Sequence, residues 1–533
     1  MRRRTFTRKR LSEGVELRSV NGRKRPGQKS SSKALHLLWS ALLCLLLELS
    51  VVSAGAQGPA ETTVVVNWGK ATKVLRTTAA LQIATQPPLL RDSPIHDRLF
   101  KALSDLQADY VRYIPYYPHP KLVVAELDPP RDRRTSWDFS LLDPTMEDFM
   151  RATAGHPVVV NFSTIPAWMF KTAKPVAYPS DPNQVADDDY TQATSLRDPS
   201  MKEVADYYAR LISWYTCGGF MDEYGKWHGS GHRYKIDYWE FLNEVEFEHS
   251  MTPEFYTALY DRVVMAIHQV APRMKFIGLS LEGTSPLQAF NFDDPPFFQY
   301  FLNPRNHKPG VPLDMISYHF YGEPFPDEPP EAWQFSLFNQ ANHFLDVVNY
   351  IESIRKKLSP ITQTDVDEVG TILHNPDHII PDFYWNLSAA MFAYVYARLA
   401  RMGIEIVAAS QFTEYPIDFP SFSLVDMKTG QPNARFWVIK LIRDNLEPGD
   451  KLVDTVLPLT SVYAQGFVTQ KGRHKLLLIN ERQRAVEVTI PAAEGAEEEF
   501  VDEVTANSPP GHAKLTGNKL SLGPFAVVAV TLP

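Results

Sequence analysis

Residues 234–270 read YKIDYWEFLNEVEFEHSMTPEFYTALYDRVVMAIHQV. The first part alternates, with Tyr238, Glu240, Leu242 and Glu244 on one side of an extended strand. The last part changes period. Thr252-Pro253 supplies an N-cap and a Pro at the first helical position, and Tyr256, Leu259, Val263, Ile267 and Val270 follow at spacings of three and four. That is one strand–helix unit. Working outward, the other strand-like runs are Leu81–Ala84, Tyr110–Ile114, Pro157–Ser163, Lys275–Leu279, Met315–His319, Pro360–Asp365 and Ile404–Phe412, with helical patterns between them. Eight such repeats predict an α/β fold, a (β/α)8 TIM barrel within residues 57–447, more than a doubly wound sheet. No Gly-rich phosphate loop follows the first strand, so the nucleotide-binding version has no support.

Beyond Glu447-Pro448-Gly449-Asp450 the helical period disappears. Short runs at Ser461–Thr469, Lys475–Ile479, Val486–Ile490 and Phe525–Leu532, separated by Gly, Pro and Asn, predict an antiparallel β-sandwich over 448–533. The strand-like Thr62–Asn67 is a candidate to join it.

Charge divides the chain of 533 residues unevenly. Residues 1–33 hold twelve Lys/Arg and two Glu, a charge of +10, and residues 34–56 carry only Glu48, so the total of -8 leaves -17 for residues 57–533. A body that acidic argues against general nucleic-acid binding. The basic stretch precedes the apolar run ALHLLWSALLCLLLELSVV (34–52) and Ala54-Gly55-Ala56, the parts of a secretory signal. The run is also long enough for an uncleaved type II anchor, and a buried helix with a basic tail is the third reading. The first two deliver the body to the secretory pathway, secreted, luminal or anchored. Asn161-Phe162-Ser163 and Asn386-Leu387-Ser388 are glycosylation sequons that fit such an address. Cys217 is the sole body cysteine, which excludes an intrachain disulfide or a Cys-rich zinc site and reads as a small buried hydrophobe.

In a barrel, active groups sit at the C-terminal ends of the strands. Glu244 closes the fourth strand, and Glu368 follows the seventh in PITQTDVDEVG (360–370). Carboxylates on these two strands can flank one bound molecule and divide the work of breaking a glycosidic bond. Asp365, Asp367, Glu240, Glu246 and Glu248 are rival acids, and Asp365 faces the site if the seventh strand ends early. His228 and His232 in KWHGSGH sit in a Gly-rich stretch without an obvious third ligand, so no metal is expected.

The segments WEFLNEVEFEH (239–249), DMISYHFYG (314–322), TDVDEVGT (364–371) and SFSLVDMKTGQPNARFWVIKLI (421–442) resemble, in order and spacing, the clan A glycoside hydrolases. Glycoside hydrolase family 39 and its relatives, which join such a barrel to a β-sandwich, are most similar. The resemblance implies a retaining O-glycosidase acting on a carbohydrate without a cofactor. Glu244 would be its acid/base, with a pKa raised by burial and the opposite carboxylate, and Glu368 its nucleophile. Asn243 would hydrogen-bond the sugar 2-hydroxyl, and His319 or Tyr321 would orient Glu368. Arg112 matches a position where the clan often keeps an Arg near the nucleophile. Trp168, in IPAWMF, would stack on a sugar face. The eighth strand departs from the clan, which often has Trp there, in reading Ala409-Ser410-Gln411-Phe412-Thr413-Glu414. A non-catalytic carbohydrate-binding barrel and a transglycosidase are the rival readings.

Overall fold

A computed structural model describes residues 62–533 except 116–117, 173, 187–194, 283–295, 374–378 and 414–419. The leader, its apolar run and Glu414 therefore lie outside the described residues. Eight parallel strands close into a barrel, each paired with its neighbours in chain order: Thr78–Ala84, Val111–Ile114, Val158–Val160, Tyr238–Glu240, Lys275–Leu281, Met315–Gly322, Gln363–Thr371 and Ile406–Ala409. They are numbered one to eight below. The expected helix forms at Pro253–Val270, with the Thr252 hydroxyl accepting from the Phe255 N–H and Tyr256, Leu259, Val263 and Ile267 buried.

Alternation sorts the residues of each strand. On strand six Ile316, Tyr318 and Phe320 join the outer core against the helices. Met315 enters a small apolar plug inside the barrel with Ala80, Val159, Tyr238, Ile277, Ile406 and Ala408. Above this plug the interior is charged: Arg112, Glu240, Ser280, Ser317, His319, Asp367 and Glu368 are all buried. A polar layer is stable there only because its members satisfy one another.

Strands four and seven differ from their sequence reading. Strand four is regular only over Tyr238–Glu240, and strand seven starts later and runs on to Thr371, so Glu368 lies within it. Its pairing with strand six slips: Asp365 faces Ser317, and Glu368 faces His319. Three steps on one strand thus match two on the other, and the extra residue is a β-bulge. Plain alternation from Asp365 and Asp367 would turn Glu368 outward; the bulge brings Asp367 and Glu368 both into the barrel.

Residues 61–533 form one compact unit. The second sheet has seven strands, and its N-terminal member Val65–Val74 pairs antiparallel with Lys451–Val456. A two-stranded sheet, Val486–Thr489 with Lys519–Leu522, packs with it around Leu476, Leu478, Val488, Leu522 and Val530. The barrel core continues into this region through Leu452, Phe467, Leu477, Ile479 and Val527. Both sequons are spent on the fold. Asn161 is fully buried and Asn386 nearly so, so neither offers its amide on the folded surface. Cys217 is half-buried rather than buried, its Sγ 3.4 Å from the Val270 carbonyl.

Candidate active site

Arg112 organises the site from strand two. Its guanidinium is 1% exposed and donates to Glu240 and Gln82, to Glu368 Oε1 at 2.7 Å, to Asn243 Oδ1 at 2.7 Å and to Ser280 Oγ at 2.9 Å. Asp367 Oδ2 lies 3.2 Å from it. Glu240 is held further by Asn161 Nδ2 at 2.8 Å and the Ser317 hydroxyl at 2.6 Å. The Ser280 hydroxyl donates to Asp367 at 2.8 Å and sits 2.9 Å from His319 Nε2.

His319 joins the two carboxylates expected from the sequence. Its Nδ1 is 3.1 Å from Glu244 Oε1, and its Nε2 is 3.4 Å from Asp367 and 3.5 Å from Glu368 Oε1. The other Glu368 oxygen accepts from the Tyr321 hydroxyl, which also reaches Ser410 Oγ at 2.9 Å. His319 and Tyr321 project inward from strand six by the same alternation as Met315. The backbone that delivers Glu244 is unusual. Leu242 and Glu244 have φ of +64° and +42°, and the adjoining Leu279 and Ser280 have +91° and +49°. Such left-handed non-glycine residues cost on the order of 1–3 kcal/mol each and gather at functional sites.

The charges interlock. Burial would lower the His319 pKa, but Glu368 and Asp367 raise it well above the ordinary value, so the ring is an imidazolium. Burial would raise Asp367; His319 and Arg112 instead hold it at about 2. Burial pushes Glu240 up to about 7 despite Arg112. Glu244, with a side chain 15% exposed, is raised by burial, and the neighbouring Glu368 adds to this against the pull of His319. The site therefore pairs a carboxyl that tends to keep its proton with a second whose two oxygens are gripped by Arg112 and Tyr321.

Glu244, His319 and Glu368 each bring one ligand atom to within 4.8 Å of the others. That spacing suits a cation by distance. The charges compete with it, because Glu368 and Asp367 raise the His319 pKa, so a cation would have to displace a proton from that ring. His228 and His232 pair with separate acids, Asp222 at 2.9 Å and Asp143 at 3.4 Å.

Of the expected site residues, the structure brings Glu244, Glu368, Asn243, His319, Tyr321 and Arg112 together. Trp168 has other partners. Its indole N–H donates to the Glu126 carbonyl at 2.8 Å, and Arg197 stacks over its ring at 4.4 Å beside a cavity of about 290 Å³. Glu203, Asp206, Tyr207 and Arg210 of the helix Lys202–Thr216 line the same cavity. Ser280, Gln82 and Ser317 were missed in the sequence. Their only signal is a small or neutral polar residue within an otherwise apolar strand.

No family model and no curated protein matches the sequence. Solved structures do match the fold. An arabinofuranosidase of glycoside hydrolase family 51 from Xanthomonas axonopodis pv. citri superposes with a TM-score of 0.60 at 12% identity, covering 89% of this chain and all of that one. A family 30 endoxylanase from Clostridium papyrosolvens C71 gives 0.52 at 14%, covering 88% and 99%. A glucosidase from Croceicoccus marinus gives 0.58 at 15%, covering 89% and 99%. The chain thus shares the fold of these three enzymes, here a closed eight-stranded barrel with an added antiparallel sheet. Family 39 remains a likeness of motifs.

Proposed function

We propose that this protein is a retaining O-glycosidase with Glu368 as nucleophile and Glu244 as acid/base. The observation that carries the proposal is the approach of a Glu244 and a Glu368 oxygen to within 4.8 Å, with the Glu244 carboxyl raised by burial. Retaining enzymes hold these groups about 5–5.5 Å apart, and inverting enzymes about 6.5–9.5 Å, to admit a water.

In the first step a Glu368 oxygen attacks the anomeric carbon. The bond to the leaving oxygen breaks, and that oxygen takes the Glu244 proton. Arg112 and Tyr321 orient the attacking carboxylate. In the second step Glu244, now ionised, takes a proton from water as the water oxygen attacks the same carbon. The ester to Glu368 breaks, and both residues return to their starting states. Asn243, its Oδ1 fixed by Arg112, is placed to hydrogen-bond the sugar beside Glu244. The leader of residues 1–56 would send the enzyme into the secretory pathway, which N-terminal sequencing of the mature protein tests.

The experiment is a panel of aryl arabinofuranoside, xyloside, glucoside, glucuronide and iduronide substrates with the wild type, Glu368→Gln and Glu368→Gly. Turnover should vanish in Glu368→Gln and return in part when azide is added to Glu368→Gly. Full activity of Glu368→Gln rules out this nucleophile. Binding of glycosides without turnover by the wild type would make the barrel a carbohydrate-binding protein.

A further inference from the structure

Double displacement leaves one neighbouring acid without a task. Glu248 ends the turn that follows Glu244, and its N–H donates to the Glu244 carbonyl at 2.7 Å. It is 4% exposed. Its Oε1 accepts from Asn243 Nδ2 at 3.2 Å, while its Oε2 has no hydrogen-bond partner among the described residues. The His249 Nε2 lies 3.9 Å from Oε2, too far for a direct bond.

A buried carboxyl oxygen left unsatisfied costs on the order of 1–3 kcal/mol, so native proteins rarely keep one without a use. Asn243 narrows what that use is. Its Oδ1 accepts from Arg112 at 2.7 Å, which turns Nδ2 toward Glu248 and leaves one Nδ2 hydrogen uncommitted. The free Nδ2 hydrogen of Asn243 and Glu248 Oε2 thus sit beside the acid/base, with His249 Nε2 3.9 Å from Oε2. A hydroxyl group suits this pair, because it both donates and accepts. An anionic group does not. It would find no cation to pair with, because those at hand, Arg112 and His319, are already engaged with Glu240, Asp367, Glu368 and Glu244.

We infer that Glu248, with Asn243 and His249, binds a hydroxyl of the sugar beside Glu244 and restricts the site to neutral glycosides, excluding uronides. This inference rests on the glycosidase reading and narrows its substrate class. Burial, with Glu244 close by, also raises the Glu248 pKa well above the ordinary value, so the group can donate as well as accept.

The test uses the full chain as wild type, Glu248→Ala and Glu248→Gln, with thermal melting to verify that all three fold. The substrates are the aryl glycoside that the wild type cleaves fastest, its monodeoxy analogues and the matching uronide. On the parent glycoside Glu248→Ala should lose roughly 10- to 100-fold in kcat/KM, the range of one buried hydrogen bond to a carboxyl group. Glu248→Gln, with a donor and an acceptor in the same places, should recover most of that loss. On one deoxy analogue, the one lacking the bound hydroxyl, the Ala penalty should disappear. The wild type should disfavour the uronide, and so should Glu248→Gln, which adds no cation. An equal Ala penalty on every analogue, no penalty at all, or a wild type that prefers the uronide overturns the inference. A wild type that cleaves none of the glycosides sinks the glycosidase reading alone. Calorimetric binding of the methyl glycosides then decides the part of Glu248, where equal affinities of wild type and Glu248→Ala, or none for either, refute it.

Discussion

Replacing Tyr321 by Phe removes one oxygen atom and little else. The ring stays buried, packed 4.9 Å from Phe422 and edge-on to His319 at 6.2 Å. The loss is the hydroxyl that donates to Glu368 and reaches Ser410. Burial and the nearby Glu368 raise the phenol pKa well above 10, so in the wild type this donor is present throughout an ordinary assay range. A hydrogen bond to a charged group contributes about 1.5–3 kcal/mol, and at about 1.4 kcal/mol per tenfold that is roughly 10- to 150-fold. The two chemical steps share this loss unequally. As Glu368 attacks, its charge leaves and the bond weakens, so losing the donor slows attack little. As the glycosyl ester breaks, the carboxylate recovers its charge and needs the donor. Tyr321→Phe should therefore lower kcat by roughly 10- to 150-fold, with KM falling alongside it as glycosyl-enzyme accumulates. Stopped-flow release of a nitrophenol should show a burst equal to the enzyme concentration. Unchanged kcat, or a rising KM without a burst, would refute this division of labour.

Other outcomes follow from the same contacts. Glu244→Gln should lose roughly 100- to 10,000-fold on glycosides with poor leaving groups and far less on dinitrophenyl glycosides, which need no proton; azide should speed the second step. Because the Glu244 pKa is raised, the wild type should lose kcat/KM on the alkaline side through deprotonation of Glu244, and a pH profile of Glu244→Gln should lack that limb. Asp367 has a folded pKa of about 2, below its ordinary value of 3.8, so its stabilisation is present above the unfolded pKa and lost as pH falls from about 4 to 2. At about 1.4 kcal/mol per unit that is about 2 kcal/mol, and Asp367→Asn should flatten urea-unfolding stability over that window while lowering it at neutral pH. Gly278→Ala would place a Cβ 2.4 Å from Phe301 Cζ, and urea unfolding should show a loss of about 1–3 kcal/mol.

How much of this was legible in the sequence depends on which physical signal each part leaves. The barrel was legible because its strands are apolar on both faces and its helices keep a 3.6-residue period, as in Pro253–Val270. His319 and Tyr321 followed from alternation along one regular strand. Glu368 was singled out as an acid at the end of the seventh strand and given its role by resemblance, since the bulge that turns it inward has no local signature in TDVDEV. The partners of Trp168, Arg197 and the Glu126 carbonyl, were not legible, because the turn that carries it has no regular period. In the second sheet, Glu497–Val501 (EEEFV) and Gly511–Lys514 (GHAK) escaped the sequence reading, because a polar edge hairpin shows no hydrophobic alternation. Asn161 read as a sequon, and only burial reveals it as a support for Glu240.

The account turns on Glu368 and Glu244 acting as a retaining pair. The most direct measurement is proton NMR of the sugar released from an aryl glycoside, recorded before mutarotation. The account predicts that the first anomer to appear has the configuration of the substrate. First appearance of the opposite anomer would contradict it.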